Sequence, residues 1–284
     1  DLPNLLFFPD LFDSAENWLP FFLNPRSRIL DLRNVYILYP RNFGSSDRCD
    51  EAGGLPEDLA GDVERFMYTH RLSTATLGGH GFGARTAALT ACYRHNRVTG
   101  LFALDYAPQD YTHFDVARRL RALVDLLAGL DYRNMSLARL REALAARGVA
   151  PKLQSLLAQC LRRSVAGNEF TFNLPFLARH AAKLLEWHPH FGLYPGRATF
   201  LFPECSEHVH LATNTIPMHK VCPRVRPLGQ DIHLLRGGSD NPQLAHWIYE
   251  DAPASAQADE LLTRFLAHFD GVHVLLHDRQ EIAD

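Results

Sequence analysis

The stretch from 74 to 95 limits what this chain can fold into more than any other. A short apolar run at 74–78 passes through Gly78-Gly79-His80-Gly81-Phe82-Gly83 into a helical pattern at 84–95. A turn so rich in glycine joins a strand to a helix where backbones approach closely. The same order recurs along the chain. Leu5-Leu6-Phe7-Phe8 is stopped by Pro9, and a helical stretch at 14–23 follows with Trp18, Leu19 and Phe22 on one face. Residues 35–39 form another buried run, closed by Pro40 and the turn Asn42-Phe43-Gly44-Ser45-Ser46, and 57–71 reads as a helix. Residues 98–104 form the next strand. Short apolar runs alternating with helices predict an α/β fold with a mostly parallel sheet covered on both faces.

The alternation then stops. From about 113 to 187 the periodicity is helical, with Val116, Leu120, Leu123 and Leu127 in one segment and Leu137, Leu140 and Leu144 in the next. Strands resume at 199–202 and 231–235, followed by an amphipathic helix near 256–269 and an apolar tail, 271–277, that reads as an extra strand. The predicted organisation is a core, 1–108, an inserted helical lid, 109–195, and the second part of the core, 196–284. A chain of 284 residues, 46% hydrophobic, fits one such domain. Its net charge of −3 gives no sign of nucleic acid or an anionic membrane as partner. No apolar run reaches the roughly 18 residues of a membrane-spanning helix. Cys49, Cys92, Cys160, Cys205 and Cys222 are odd in number and form no CxxC pair, which fits free thiols. Nothing asks for a cofactor.

The glycine turn matches a strained strand-to-helix elbow in which G-x-S-x-G lifts a serine hydroxyl out of the sheet. Here it reads Gly79-His80-Gly81-Phe82-Gly83, and Gly81 offers no atom to attack with.

Further motifs follow in order. Tyr39-Pro40-Arg41-Asn42-Phe43-Gly44-Ser45-Ser46 looks like D-x-R-N-H-G-x-S, and Leu104-Asp105-Tyr106-Ala107-Pro108 looks like V-D-I-A-P. Residues 168–175 (NEFTFNLP) are similar to G-x-W-R-F-N-V-P, and Ala245-His246-Trp247-Ile248-Tyr249 to G-H-W-V-H. In this order and over this length, the chain resembles the bacterial YbfF-type esterases and the mitochondrial abhydrolase-domain-eleven hydrolases of the α/β-hydrolase superfamily. The resemblance implies triad positions at Gly81, Asp105 and His246, with glycine in place of the nucleophilic serine. It implies an oxyanion hole made by the backbone N–H groups of Leu11 and Phe82. Around that hole Pro9 and Asp10 stand where the family has histidine and glycine, and a carboxylate facing the hole would repel an oxyanion unless it turned to solvent. Tyr39 and Phe43 replace the aspartate and histidine of D-x-R-N-H.

Other candidates carry less. Cys205 is either a displaced nucleophile or a semi-buried thiol, and Glu204 and Glu207 are spare acids or surface carboxylates. His188 with His190, and His208 with His210, resemble metal pairs but have no third ligand in the sequence, so no metal is expected. Arg118, Arg119, Arg121, Arg139, Arg141 and Arg147 read as solvated faces of lid helices. The resulting expectation is a catalytically inactive hydrolase-like subunit of a larger assembly with protein partners, mitochondrial by resemblance. The alternatives are a non-hydrolytic receptor for a small apolar ligand, and a weak hydrolase or lyase using Asp105 and His246 without a covalent intermediate. A cavity filled by Tyr39, Phe43 and Phe82 would favour the subunit; an open one would favour the alternatives.

Overall fold

The computed structural model describes residues 2–49, 56–204, 206, 209, 211–236 and 252–267. Strands β1 (Asn4–Phe8), β2 (Asn34–Ile37), β3 (Ala75–His80), β4 (Val98–Leu104), β7 (Ala198–Pro203) and β8 (Ile232–Leu235) form one sheet in the order β2-β1-β3-β4-β7-β8. Every pairing in it is parallel. A parallel strand covered on both faces needs apolar residues at odd and even positions alike. β1 shows this. Leu5 and Phe7 pack with Trp18, Phe21 and Phe22 of α1 (Ala15–Phe22), Ile29 of α2 (Ile29–Leu32) and Leu262 of α10 (Ala252–Ala267). Leu6 and Phe8 face the other way, towards Val63 of α3 (Pro56–Thr69), Ala84 and Ala87 of α4 (Phe82–Tyr93) and Met218 of α9 (Leu211–Val221).

The insertion between β4 and β7 holds α5 (Asp115–Ala128), α6 (Leu137–Ala145), α7 (Pro151–Gln159) and α8 (Leu174–Leu185), packed around Leu120, Val124, Leu140, Phe170 and Leu177 in a core that also takes in Phe12, Phe43 and Phe82 from outside the insertion. The lid is not wholly helical as expected. β5 (Leu161–Ser164) and β6 (Gly167–Phe170) form an antiparallel hairpin within it. Gly167 turns at φ +105°, and Phe170 stacks on Phe172 at 4.7 Å. The strands have four residues each, too few to show a period of two beside the helical periods on either side. The single-turn α2 escapes periodicity for the same reason. The predicted tail strand, 271–277, and His246 lie outside the described residues. No described helix is long and apolar enough to cross a membrane.

Gly61 sits inside α3 with nothing near the position a Cβ would take, and its φ is not left-handed. Gly61→Ala is therefore expected to stabilise the protein by about 0.5–1 kcal/mol through helix propensity, checked by urea denaturation. A lower midpoint would count against an open helical position.

Candidate active site

The sheet delivers two loops to one place. β1 ends at Phe8 and runs into Pro9-Asp10-Leu11-Phe12, while β3, its neighbour, ends at His80 and turns through Gly81 into α4. Gly81 has φ +52°, a left-handed conformation that glycine adopts at least cost. Its N–H donates to the Leu104 carbonyl and its own carbonyl accepts from Arg85, which fixes the turn between β4 and the first turn of α4. At Gly83 the helix passes so close to β1 that a Cβ would fall on the carbonyl oxygens of Phe8 and Pro9.

The backbone N–H groups of Leu11 and Phe82 converge, and both donate to the same oxygen, Asp10 Oδ1, each at 2.7 Å. The carboxyl group of Asp10 covers the position of a side chain on Gly81, since a Cβ there would meet Cγ and both oxygens. Of the two expectations for Asp10, the structure shows the carboxylate facing the hole and not turned to solvent. The two donors aim at one point, and the Asp10 carboxylate fills it at the N-terminus of α4, where negative charge is favoured.

Asp105 follows β4, buried and with φ +51°, a conformation few non-glycine residues adopt. Its N–H donates to the Leu201 carbonyl at 2.8 Å, and its Oδ1 accepts a short hydrogen bond from the Ser206 hydroxyl. Ser206 Oγ in turn accepts from Val209 N at 3.0 Å. Ser206 has no motif around it, so its contact with Asp105 was not legible in the sequence. His246, the expected partner of Asp105, lies outside the described residues.

Asp10, Gly81 and Asp105 all line one cavity of about 240 Å³. Its roof is apolar, made by Val116, Leu120 and Leu123 of α5, Leu153 of α7 and Leu185 of α8. Phe82 lines it as well. Tyr39 and Phe43 do not: the Tyr39 hydroxyl accepts a short hydrogen bond from Ala15 N, and Phe43 packs on Phe82 at 5.5 Å within the lid core. These two placements as pocket positions are thus corrected, and the cavity is open rather than filled by the three rings. A larger cleft of about 600 Å³, lined by polar and apolar groups alike, Tyr39, Arg41, Asp62 and Phe66 among them, holds the Arg41–Asp62 ion pair. It contains neither Gly81 nor Asp105.

Two cations border the smaller cavity. Arg85 is buried on its wall and donates from Nη2 to the Glu186 carbonyl at 2.6 Å; burial lowers its pKa from the ordinary guanidinium value. Arg119, expected on a solvated face, lines the cavity from α5 while remaining exposed. Arg118 and Arg121 do sit on that face, paired with Asp115 and Asp125. Burial raises the Tyr106 and Tyr111 phenols above their usual range, so both are neutral around pH 7. Glu204 is exposed beside Arg236, and His188 pairs with Glu186 at 3.1 Å. No group of three or more potential metal ligands comes together among the described residues. Cys205, Glu207, His208 and His210 lie outside them.

No family model matches the chain. Its fold is the α/β-hydrolase fold. The chain is similar over 95% of its length to a marine microorganism esterase, covering 95% of that chain at TM-score 0.76 and 19% identity. It is similar to E-2-(acetamidomethylene)succinate hydrolase at TM-score 0.67 and 19% identity, over 95% of this chain and 91% of that one. By sequence it is 24% identical over 277 residues to the mouse (Mus musculus) sn-1-specific diacylglycerol lipase ABHD11, spanning 94% of this chain and 81% of the relative. These findings overturn the expectation of a non-enzymatic chain, whether inactive subunit or receptor: the relatives that match along nearly its whole length are named as a lipase, an esterase and a hydrolase. The inactive expectation rested on Gly81 together with the changes at Pro9, Asp10, Tyr39 and Phe43, and it took the Asp10 carboxylate only as an obstacle to an oxyanion.

Proposed function

We propose that this chain is a hydrolase acting on a compact apolar substrate bound beneath the lid. The observation that carries the reading is the open cavity of about 240 Å³, roofed by leucines and bordered by the carboxylates of Asp10 and Asp105. Small-molecule sites combine an apolar lining with a few convergent polar groups in this way. The names of the similar proteins, a lipase and an esterase among them, support the same class of reaction. The mitochondrial location implied by the resemblance is a proposal too, tested by fractionation of cells expressing the chain at its endogenous level.

Hydrolysis of an ester, a thioester or an alkyl halide releases acid, so one pH-stat assay covers all three. Saturable acid release is expected from at least one class when the apolar part has about six carbons. Leu120→Trp, which fills the roof, is expected to lower kcat/KM about tenfold or more while leaving the fold intact. Acid release at the blank rate from every class would overturn the reading.

A further inference from the structure

We propose that Asp10 is the nucleophile of this site, and that the bond it breaks joins a leaving group to a saturated carbon of an apolar substrate. This rests on the hydrolase reading and narrows the bond cleaved.

The first observation is positional. The Asp10 carboxyl lies where a side chain on Gly81 would be, at the tip of the elbow and on the cavity wall. Glycine at 81 makes the room, and the loop after β1 supplies the functional group from the neighbouring strand. Carboxylates serve as nucleophiles that form covalent esters, splitting one displacement into two steps.

The second observation selects the substrate. Leu11 N and Phe82 N both donate to Asp10 Oδ1. Attack on a substrate carbonyl would build negative charge on the substrate's oxygen, and the two donors that could stabilise it are already engaged. Addition of water to an ester of Asp10 builds that charge on Oδ1 itself, where both donors already point. The arrangement therefore suits hydrolysis of an ester formed on Asp10, and the first step must be one that needs no oxyanion hole. Displacement at a saturated carbon is such a step.

The atoms balance as follows. Oδ2 of Asp10 attacks the carbon; the C–O bond forms, and the bond to the leaving group breaks with its electron pair going to that group, an anion such as halide. Arg85 and Arg119 on the cavity border favour the departing charge. Water then adds to Cγ, giving one proton to a base and pushing the carbonyl electron pair onto Oδ1. Asp105 is the second carboxylate on the cavity wall and fills the role of base. Collapse breaks the Cγ–Oδ2 bond. The departing oxygen takes the proton from the base and leaves as an alcohol, and the regenerated carboxyl loses its proton to solvent. The net reaction converts alkyl halide and water to alcohol, halide and a proton.

The probe is 1-bromohexane, incubated with an excess of the protein in H₂¹⁸O for a single turnover. The Asp10 peptide is expected to gain one ¹⁸O while the first hexanol released carries none; if the second step is slow, the intact protein instead carries one hexyl group mapped to Asp10. Asp10→Asn keeps an oxygen for the two N–H donors and is expected to fold normally, with turnover reduced by about 10³-fold or more and neither label nor adduct. Absence of both label and adduct in the wild type overturns the proposal. Ester hydrolysis in the pH-stat with ¹⁸O only in the product also overturns it, while leaving the hydrolase reading standing. No acid release from any substrate class, with no adduct on Asp10 either, removes that reading as well.

Discussion

Alanine at position 83 is expected to destabilise the protein more than truncation of most core side chains. Gly83 begins the closest approach of α4 to β1, and a Cβ there would meet the carbonyl oxygens and carbonyl carbon of the Phe8–Pro9 backbone. A flexible side chain could swing away from such a contact; a strand held in register by β2 on one side and β3 on the other cannot. The helix would have to lift off, uncovering Ala84, Ala87 and Ala88, all fully buried against the sheet. A cost of about 4 kcal/mol or more places Gly83→Ala among the exceptional single substitutions. For a domain of this size that is a fall in Tm of about 10 °C. Gly61→Ala, which meets nothing, is the control. A Gly83→Ala protein melting within about 2 °C of the wild type would show that α4 can move without loss.

What the sequence made legible follows the strength of each physical signal. β1, β4 and β7 are runs in which apolar residues occupy both faces, and helices α5 and α8 carry long apolar stripes. Long signals of that kind survive single-chain reading. The strands β5 and β6 and the one-turn α2 have four residues each, too few for their periods to repeat often enough to stand out. The candidate site divides in the same way. The elbow announces itself through Gly79, Gly81 and Gly83, because close backbone approach restricts residue type at fixed spacing. The route of the Asp10 side chain does not, since it depends on three-dimensional convergence of two loops about 70 residues apart. A carboxylate beside a glycine can face solvent, oppose an oxyanion or occupy its place; only the positions of Leu11 N and Phe82 N decide among these. The sequence shows glycine at 81 and a carboxylate at 10 but not that the two share one space, and that sharing is what the expectation of an inactive site left out.

That sharing gives the sharpest mutational test, because the two positions should be interchangeable only together. Gly81→Ser by itself places a Cβ on the Asp10 carboxyl, in a backbone conformation already left-handed. The carboxylate must leave Leu11 N and Phe82 N, or the elbow must distort, and either change loses two hydrogen bonds to a charged group. The single variant is expected to melt several degrees below the wild type and to react with a serine-directed fluorophosphonate no faster than the wild type does. Asp10→Gly combined with Gly81→Ser removes the clash and empties the two donors, so that an oxygen bound to phosphorus or carbon can sit between them. Oxyanion-hole donors are worth about 10²–10³ in rate, and the double variant is expected to label at position 81 faster than the single by about that factor. It is also expected to recover the stability that the single variant loses, a non-additivity that marks two side chains contending for one space. Asp10→Gly alone should show neither gain, having lost the carboxylate without acquiring a hydroxyl. Labelling is read by intact mass and by peptide mapping at position 81, and stability by thermal denaturation of all four proteins side by side. If Gly81→Ser alone labels as fast as the double variant and melts like the wild type, the Asp10 carboxylate does not occupy the elbow in solution, and the account of this site built on it is wrong.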